Sequence, residues 1–288
     1  MIQISDILKR TNTLVLQEYG FTGRGIKVAI LDTGIDSENE IFDNTAITDY
    51  QLAEGSIKDK VYGHGTHLAS ILVSIAPDVE ILNIKILDDE GNSQISTLME
   101  GIELAYNEGA DIINLSIGEL YYGCPDDHPL SFLIKKIAES GVFIVCAAGN
   151  LGRTTPHIPA SCNETIAVGS VNEMGKKNDF SSHGPVCGEK YPDCMAYGSN
   201  ILAWLPNNEE GVLSGTSQAA IQVSGMFALV KQATGLRFNA KLIQYLLSVS
   251  CKPVESNEKT NSYGWGIIDM YNFYKAVEIY NNGLNGNI

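Results

Sequence analysis

The sequence lacks long apolar stretches and any recognisable export signal. No part of its 288 residues forms a run of about 18 consecutive apolar residues, the length that a helix needs to cross a bilayer. Residues 1–10 alternate apolar and polar side chains and do not show the basic start and apolar core of a signal peptide. We therefore expect no membrane span and a cytoplasmic location. The alternative is a secreted protein whose signal and prosegment are missing from this chain.

Cysteine is sparse, and the six cysteines are scattered along the chain. Cys146 lies in the apolar run 142–148 and is predicted to be a buried thiol. Cys187 and Cys194 are close in sequence, which leaves open a disulfide, two free thiols or, with His183 nearby, a metal site. Free thiols and the missing signal both favour the cytosol, where disulfides are rare.

Basic residues are also few, since 19 Lys and Arg stand against 34 Asp and Glu for a net charge of −15. Such an acidic surface repels phosphate backbones, so we expect no nucleic-acid partner. The charge serves solubility or steers basic peptides toward an acidic cleft. A chain of this length buries a core without disulfides or a metal. We expect a monomer with a single domain over 1–280 and a flexible tail over 281–288, which is rich in Asn and Gly.

Short apolar segments alternate with segments of helical periodicity. The predicted strands cover 26–31, 80–87, 111–116 and 142–147, and the predicted helices cover 64–75, 95–106 and 130–138. This alternation predicts an α/β fold of three layers, with a mostly parallel central sheet and helices on both faces. Asp32, Ser116 and Asn150 lie at or just past strand ends, and ligands of parallel sheets bind at that edge.

Three polar residues lie in unusual local contexts. Asp32 ends an apolar strand, where a carboxylate needs a hydrogen-bonding partner to stay ionised. His64 lies between two glycines at the start of a helix. Ser217 follows a glycine turn and also opens an apolar helix, where backbone N–H groups favour negative charge. Taken singly, these residues fit a turn former, a turn histidine and a helix cap.

Together, the three residues fit nucleophilic catalysis. A serine hydroxyl is a weak nucleophile and needs a base within hydrogen-bond reach, and that base needs an orienting group. An aspartate can hold the imidazole, the histidine can take the hydroxyl proton, and the serine can then attack a carbonyl.

The surrounding motifs resemble those of the subtilisin-like serine proteases. They read Asp-Thr-Gly-Ile-Asp from Asp32, Gly-His-Gly-Thr-His around His64 and Gly-Thr-Ser-x-Ala-Ala around Ser217. The resemblance extends from about Gly20 to about Ala276. It implies the subtilisin-like fold, a catalytic triad of Asp32, His64 and Ser217, and peptide or protein substrates.

Two further segments resemble parts of the family's active site. Ala147-Ala148-Gly149-Asn150 is similar to the oxyanion-hole segment, which implies that the Asn150 amide donates to the oxyanion together with the Ser217 N–H. Residues 114–118 resemble the strand on which an extended peptide pairs. The residues implied in substrate binding are Ser116, Ile117, Gly118, Ala148 and Gly149.

The resemblance implies a serine endopeptidase that works through an acyl-enzyme on Ser217. Two alternatives are a transpeptidase or macrocyclase and a catalytically silent relative that binds peptides. The role is either general intracellular proteolysis or removal of a leader from a precursor. Only 31 residues precede Asp32, so we expect no prosegment in this chain.

We expect no cofactor and no metal in the active site. Many secreted subtilisins enclose a tight calcium site in a loop inserted after the helix of the catalytic histidine. Here only 76–79 separate the predicted helix from the next strand, too few residues to supply six or more oxygen ligands. We therefore predict that the tight calcium site is absent, while a weak site, for example between Gly169 and Asn178, remains open.

Overall fold

A computed structural model describes residues 1–121, 123–152, 154 and 157–284. It confirms the predicted α/β class, because seven strands of the described chain form a parallel central sheet. The strands are β1 (Lys27–Asp32), β2 (Ala46–Gln51), β3 (Glu80–Lys85), β4 (Ile112–Leu115), β5 (Glu119–Leu120), β6 (Phe143–Ala147), β7 (His157–Ile158), β8 (Ile166–Val171), β9 (Cys194–Tyr197), β10 (Ile201–Leu205) and β11 (Glu209–Leu213).

The order of the central sheet places the functional strand ends side by side. Its strands follow the order β2-β3-β1-β4-β6-β8-β9, so β1, β4 and β6 are neighbours. Leu31 at the end of β1 pairs with Leu115 at the end of β4, and Leu115 pairs with Cys146 of β6. The carboxyl ends of these three strands therefore meet at one edge. Two antiparallel pairs, β5 with β7 and β10 with β11, lie outside this sheet.

Helices cover both faces of the sheet. They are α1 (Ile4–Arg10), α2 (Leu14–Glu18), α3 (His64–Ile75), α4 (Ile95–Asn107), α5 (Pro129–Glu139), α6 (Thr216–Thr234), α7 (Ala240–Ser250) and α8 (Met270–Leu284). Helices α3 and α6 contact each other, and α6 packs on β4, β6, β8 and β9. Helices α4 and α5 contact each other and pack on β1, β3 and β6. Within the described residues, no helix is long and apolar enough to cross a membrane.

Helix α6 is deeply buried, with every residue from Thr216 to Val230 buried. Its sequence makes this possible, because small residues let neighbouring backbones approach closely. A Cβ atom added to Gly225 would lie 3.0 Å from the side chain of Ile75 in α3. The two helices that begin with the predicted histidine and serine motifs are therefore packed directly against each other.

The structure corrects the prediction for the cysteine pair. Cys187 forms a disulfide with Cys124, 63 residues away and 5.8 Å between Cα atoms, whereas Cys194 is a buried free thiol in β9. A disulfide between Cys187 and Cys194, two free thiols and a shared metal site are therefore all wrong. Spacing misled because the two loops that carry Cys124 and Cys187 meet only in the folded chain. Cys146 is a buried free thiol, as predicted.

The predicted tail over 281–288 begins inside a helix. Helix α8 continues to Leu284, so the first four residues of the predicted flexible segment are helical. Val277, in the middle of this helix, is fully buried and packs the helix on the core. Residues 285–288 lie outside the described part of the chain.

Candidate active site

Asp32 is fixed at the end of β1 by three donors on one carboxylate oxygen. Its Oδ1 accepts hydrogen bonds from the N–H of Thr33 at 2.8 Å and from the Thr33 hydroxyl at 3.2 Å. His64 Nδ1 lies 2.8 Å from the same oxygen. The Asp32 side chain is 1% exposed, and these contacts supply partners for Oδ1, whereas the buried Oδ2 has no hydrogen-bond partner among the described residues.

His64 is the first residue of α3 and reaches Asp32 through a tight turn. Gly63 has a φ of 74°, a conformation that glycine adopts without steric cost. Gly65 packs on the loop after β1, where an added Cβ would lie 2.1 Å from the carbonyl oxygen of Gly34. The two glycines that flank the histidine therefore have different tasks, one in the turn and one in close packing. The His64 side chain remains 18% exposed.

The surroundings of His64 favour its charged form. Burial of the imidazole lowers its pKa, but the charge and hydrogen bond of Asp32 outweigh that effect. The charge of Asp59 adds to them, and the pKa of His64 is raised overall. An imidazolium next to this carboxylate is thus stabilised, which is what a base needs after it has taken a proton.

Asp59 is a second buried carboxylate behind this pair. Burial raises the pKa of Asp59 to about 6, and the charge of Asp32 acts in the same direction. Hydrogen bonds from Thr33 and from the backbone of Gly63 oppose this shift. Sequence analysis missed Asp59 because no local motif marks an aspartate five residues before the histidine.

A buried lysine supports the loop that follows Asp32. Lys85 is fully buried, and its Nζ donates to the carbonyl of Thr33 at 2.8 Å and to Asp89 at 3.1 Å. This cation was also missed, because the lysine lies in a strand of alternating apolar and polar residues, where a lysine is ordinarily exposed. Its contact with the backbone next to Asp32 helps fix the position of that carboxylate.

Ser217 lies in the first turn of α6 and is 5% exposed. The residue before it, Thr216, is bound to Asn150, which lies just past the end of β6. Asn150 Oδ1 accepts from the N–H of Thr216 at 2.9 Å and from its hydroxyl at 3.0 Å. The N–H of Gly149 in turn donates to the Thr216 hydroxyl at 3.1 Å. The structure therefore places Asn150 and Ser217 on two segments that are joined through Thr216.

The predicted substrate-binding residues lie on two segments that are fastened to the core. Asn114 donates to Ser116 Oγ at 3.1 Å and accepts from Ser224 of α6 at 2.9 Å. Ile117 is half-buried and Gly118 is exposed. The carbonyl of Ala148 accepts from the Tyr191 hydroxyl at 2.7 Å, and that of Gly149 accepts from the N–H of Ser182 at 2.9 Å.

The second histidine of the motif has a different environment. His67 is fully buried one turn along α3, and its Nε2 lies 3.2 Å from the carbonyl oxygen of Ile201. Burial lowers the pKa of His67 to about 4, with a smaller contribution from the charge of His64. Asp32 therefore interacts with His64, while His67 belongs to the core.

Comparison with known families agrees with this geometry. The model of the Subtilase family, Peptidase_S8, matches residues 23–266. The chain is 37% identical over 244 residues to the major intracellular serine protease of Bacillus subtilis (strain 168), which covers 77% of this chain and 73% of that protein.

Solved structures show the same likeness over nearly the full chain. A mutant of the protease domain of PatA superposes with a TM-score of 0.79 at 28% identity, covering 90% of this chain and 98% of that one. The prenylagaramide maturation protease PagA superposes with a TM-score of 0.78 at 28% identity, covering 91% and 98%.

Proposed function

Since this chain belongs to the subtilase family of serine endopeptidases, we propose that it removes leader segments from peptide or protein precursors, through an acyl-enzyme formed on Ser217. The observation that carries the chemistry is the 2.8 Å contact between Asp32 Oδ1 and His64 Nδ1 at the sheet edge that also holds Asn150. Peptide or protein substrates follow from the family. The catalytic roles of the individual residues are part of the proposal.

In the acylation step, His64 acts as the base. Asp32 accepts a hydrogen bond from Nδ1–H, which holds the neutral ring in the tautomer whose Nε2 carries no hydrogen and can take the proton of the Ser217 hydroxyl. The Ser217 oxygen forms a bond to the carbonyl carbon, and the carbonyl π electrons move to its oxygen. The imidazolium then donates its proton to the nitrogen as the C–N bond breaks. Amine and acyl-enzyme are the products.

Asn150 is proposed to stabilise the oxyanion of that intermediate. Its Oδ1 is engaged by the two donors of Thr216, so the Nδ2 group faces the other way. The N–H of Ser217, in the first turn of α6, is the second donor, where the helix dipole favours negative charge. Water attacks the acyl-enzyme by the same route in reverse, with His64 again as the base, and releases the acid.

Leader removal is favoured over general proteolysis because this chain matches a maturation protease over almost the whole length of that protein. The chain covers 98% of PagA, a protein described as a maturation protease, so the two domains correspond almost from end to end. The intracellular serine protease of Bacillus subtilis supports the second candidate, a general intracellular protease.

Location and assembly are further parts of the proposal. We propose a cytoplasmic location, which is supported by the similarity to a relative that is named an intracellular protease. The Cys124–Cys187 disulfide favours the alternative, a secreted protein, because disulfides are rare in the cytosol. We propose a monomer that binds no nucleic acid, in keeping with the net charge of −15.

The test compares the wild-type protein with Ser217→Ala on denatured peptide libraries and on intact precursor peptides. Wild type should cleave and Ser217→Ala should lose about 10⁶-fold in turnover, the loss known for this triad in a family member. A serine-directed phosphonate should label Ser217 in the wild type. Ser214→Ala is the matched control, since this serine is also close to the start of α6 and should keep both cleavage and labelling.

Each contrary result points to a different error. Cleavage by Ser217→Ala would contradict the choice of nucleophile. Binding without cleavage by the wild type would indicate a silent relative, and products with new peptide bonds would indicate a transpeptidase. A library profile with many unrelated sites would favour general proteolysis over leader removal.

A further inference from the structure

A buried histidine fills the space between the two proposed substrate-binding segments. A Cβ atom added to Gly149 would lie 2.4 Å from Nε2 of His157, so the ring packs directly on that glycine. On the other segment, a Cβ added to Gly118 would lie 3.3 Å from Cβ and 3.5 Å from Nδ1 of the same histidine. His157 therefore contacts both segments at once.

The backbone of His157 is held firmly in this position. It forms β7 with Ile158, and its register partner in the antiparallel strand β5 is Leu120, two residues beyond Gly118. The carbonyl of His157 accepts from the N–H of Ser161 at 2.8 Å. Strand β7, which carries the ring, is thus paired with β5, which directly follows Gly118. This pairing holds His157 next to the substrate segment 116–118.

The side chain is equally constrained. His157 is 7% exposed, and its Nε2 lies 3.4 Å from the hydroxyl of Ser182. Ser182 also donates its N–H to the carbonyl of Gly149 at 2.9 Å. A ring buried among these groups acts as a fixed wall, because displacing it would break the packing on Gly149.

The proposed mechanism indicates which substrate residue would contact the His157 ring. When a scissile carbonyl lies at Asn150 and Ser217, the residue that carries it lies beside Gly149. If that peptide also pairs along 116–118, its side chain enters the space between Gly118 and Gly149. We propose that His157 closes this space and restricts the residue on the carbonyl side of the scissile bond to short side chains, namely Gly, Ala or Ser. This inference rests on the proposed function.

The test measures kcat/KM for peptides that differ only in the residue before the scissile bond. Wild type should prefer Ala over Phe by about 10²-fold, because pockets discriminate by about 10- to 200-fold for each group that does not fit. His157→Gly should open the space, so that the ratio of the Phe to the Ala value rises at least about tenfold. His157→Gln retains much of the bulk and should keep the wild-type ratio. His183→Ala, at a half-buried histidine, is the matched control and should also keep it.

A second measurement does not depend on turnover. Product peptides that end in Ala or Phe are titrated into Ser217→Ala and into the double variant with His157→Gly, and dissociation constants are compared. Tighter binding of the Phe peptide to the double variant is expected. Melting temperatures report whether each variant is folded, and His157→Ala replaces His157→Gly if the latter is not.

The outcomes separate this inference from the proposed function. Ser217-dependent cleavage that is as fast after Phe as after Ala in the wild type would overturn the role of His157 and leave the endopeptidase intact. An unchanged Phe to Ala ratio in folded His157→Gly, or in His157→Ala where it replaces that variant, would do the same. Absence of any cleavage by the wild type would contradict the proposed function, and the binding titration would still decide the role of His157.

Discussion

The hydroxyl of Thr216 donates a hydrogen bond of 3.0 Å to Oδ1 of Asn150. The N–H of Thr216 donates to the same oxygen at 2.9 Å, which fixes which end of the amide carries the N–H groups. The residue before the proposed nucleophile therefore orients the proposed oxyanion donor. If Asn150 is the oxyanion donor, this coupling predicts that the threonine of the serine motif contributes to turnover.

Asn150→Leu should lower kcat by about 10²- to 10³-fold with little change in KM, the magnitude known for the corresponding donor of a family member. The donor bonds the intermediate more strongly than the ground state, so its loss affects turnover. Thr216→Val should cause a smaller fall of about tenfold, because the amide loses one of its two donors. Steady-state kinetics measure both, with Asn163→Leu, at an exposed asparagine, as the control. A change confined to KM would make Asn150 a ground-state contact.

The activity should fall as the pH decreases through the pKa of His64, because acylation needs the neutral imidazole. That pKa is raised above its ordinary value, with Asp32 as the main raising influence, so the loss should begin above pH 6.5. Asp32→Asn should lower turnover by about 10⁴-fold and move the midpoint of the acid limb to lower pH. The measurement is kcat/KM against pH for both proteins.

The matched control for that experiment is Asp78→Asn, which removes a carboxylate bound to Arg24 at the far end of α3. Its acid limb should coincide with that of the wild type. If Asp32→Asn leaves the midpoint in place, the limb does not report His64, and a different group would have to be the base.

His67 should make the fold less stable in acid. Its folded pKa of about 4 lies below the ordinary 6.5, so between these values the unfolded chain binds a proton that the folded protein does not. The free energy of unfolding should therefore fall as the pH decreases from 6.5 to 4, by on the order of 3 kcal/mol from this group. His67→Gln should flatten that slope, measured by urea unfolding at several pH values.

Asp59 acts in the opposite direction over part of the same range. Its pKa of about 6 lies above the ordinary 3.8, so the folded protein binds the extra proton there and gains stability as the pH falls. Both effects contribute to the wild-type slope, and Asp59→Asn should steepen it. His183→Gln is the control for the His67 variant. An equal slope in wild type and His67→Gln would show that His67 does not titrate in this range.

Calcium should have no large effect on stability. The connection from α3 to β3 is short, and its Asp78 carboxylate accepts from Thr22 and from Arg24, each at 2.8 Å. A tight site would add several degrees to the melting temperature at saturating metal. We expect the melting temperatures in excess EDTA and in millimolar calcium to agree within about 2 °C. A gap of several degrees would show a structural site elsewhere in the chain.

Several parts of this protein could be predicted because they depend on short-range signals in the sequence. The predicted helix 64–75 matches α3 at both ends, because the glycine turn and the apolar run that define it are local. The positions of Asp32, Ser116 and Asn150 at strand ends also follow from local patterns. Motifs of a few residues placed Ser217 at the start of a helix, where the structure has it.

Features that depend on contacts between distant segments could not be predicted and are seen only in the folded chain. Asp59, Lys85 and His157 carry no local signature, and their environments arise because separate loops and strands converge at one sheet edge. The pairing of Cys187 with Cys124 rather than any bond to Cys194 has the same cause. Hydrophobic periodicity specifies which face of a strand or helix is buried, but it does not specify which other segment covers that face.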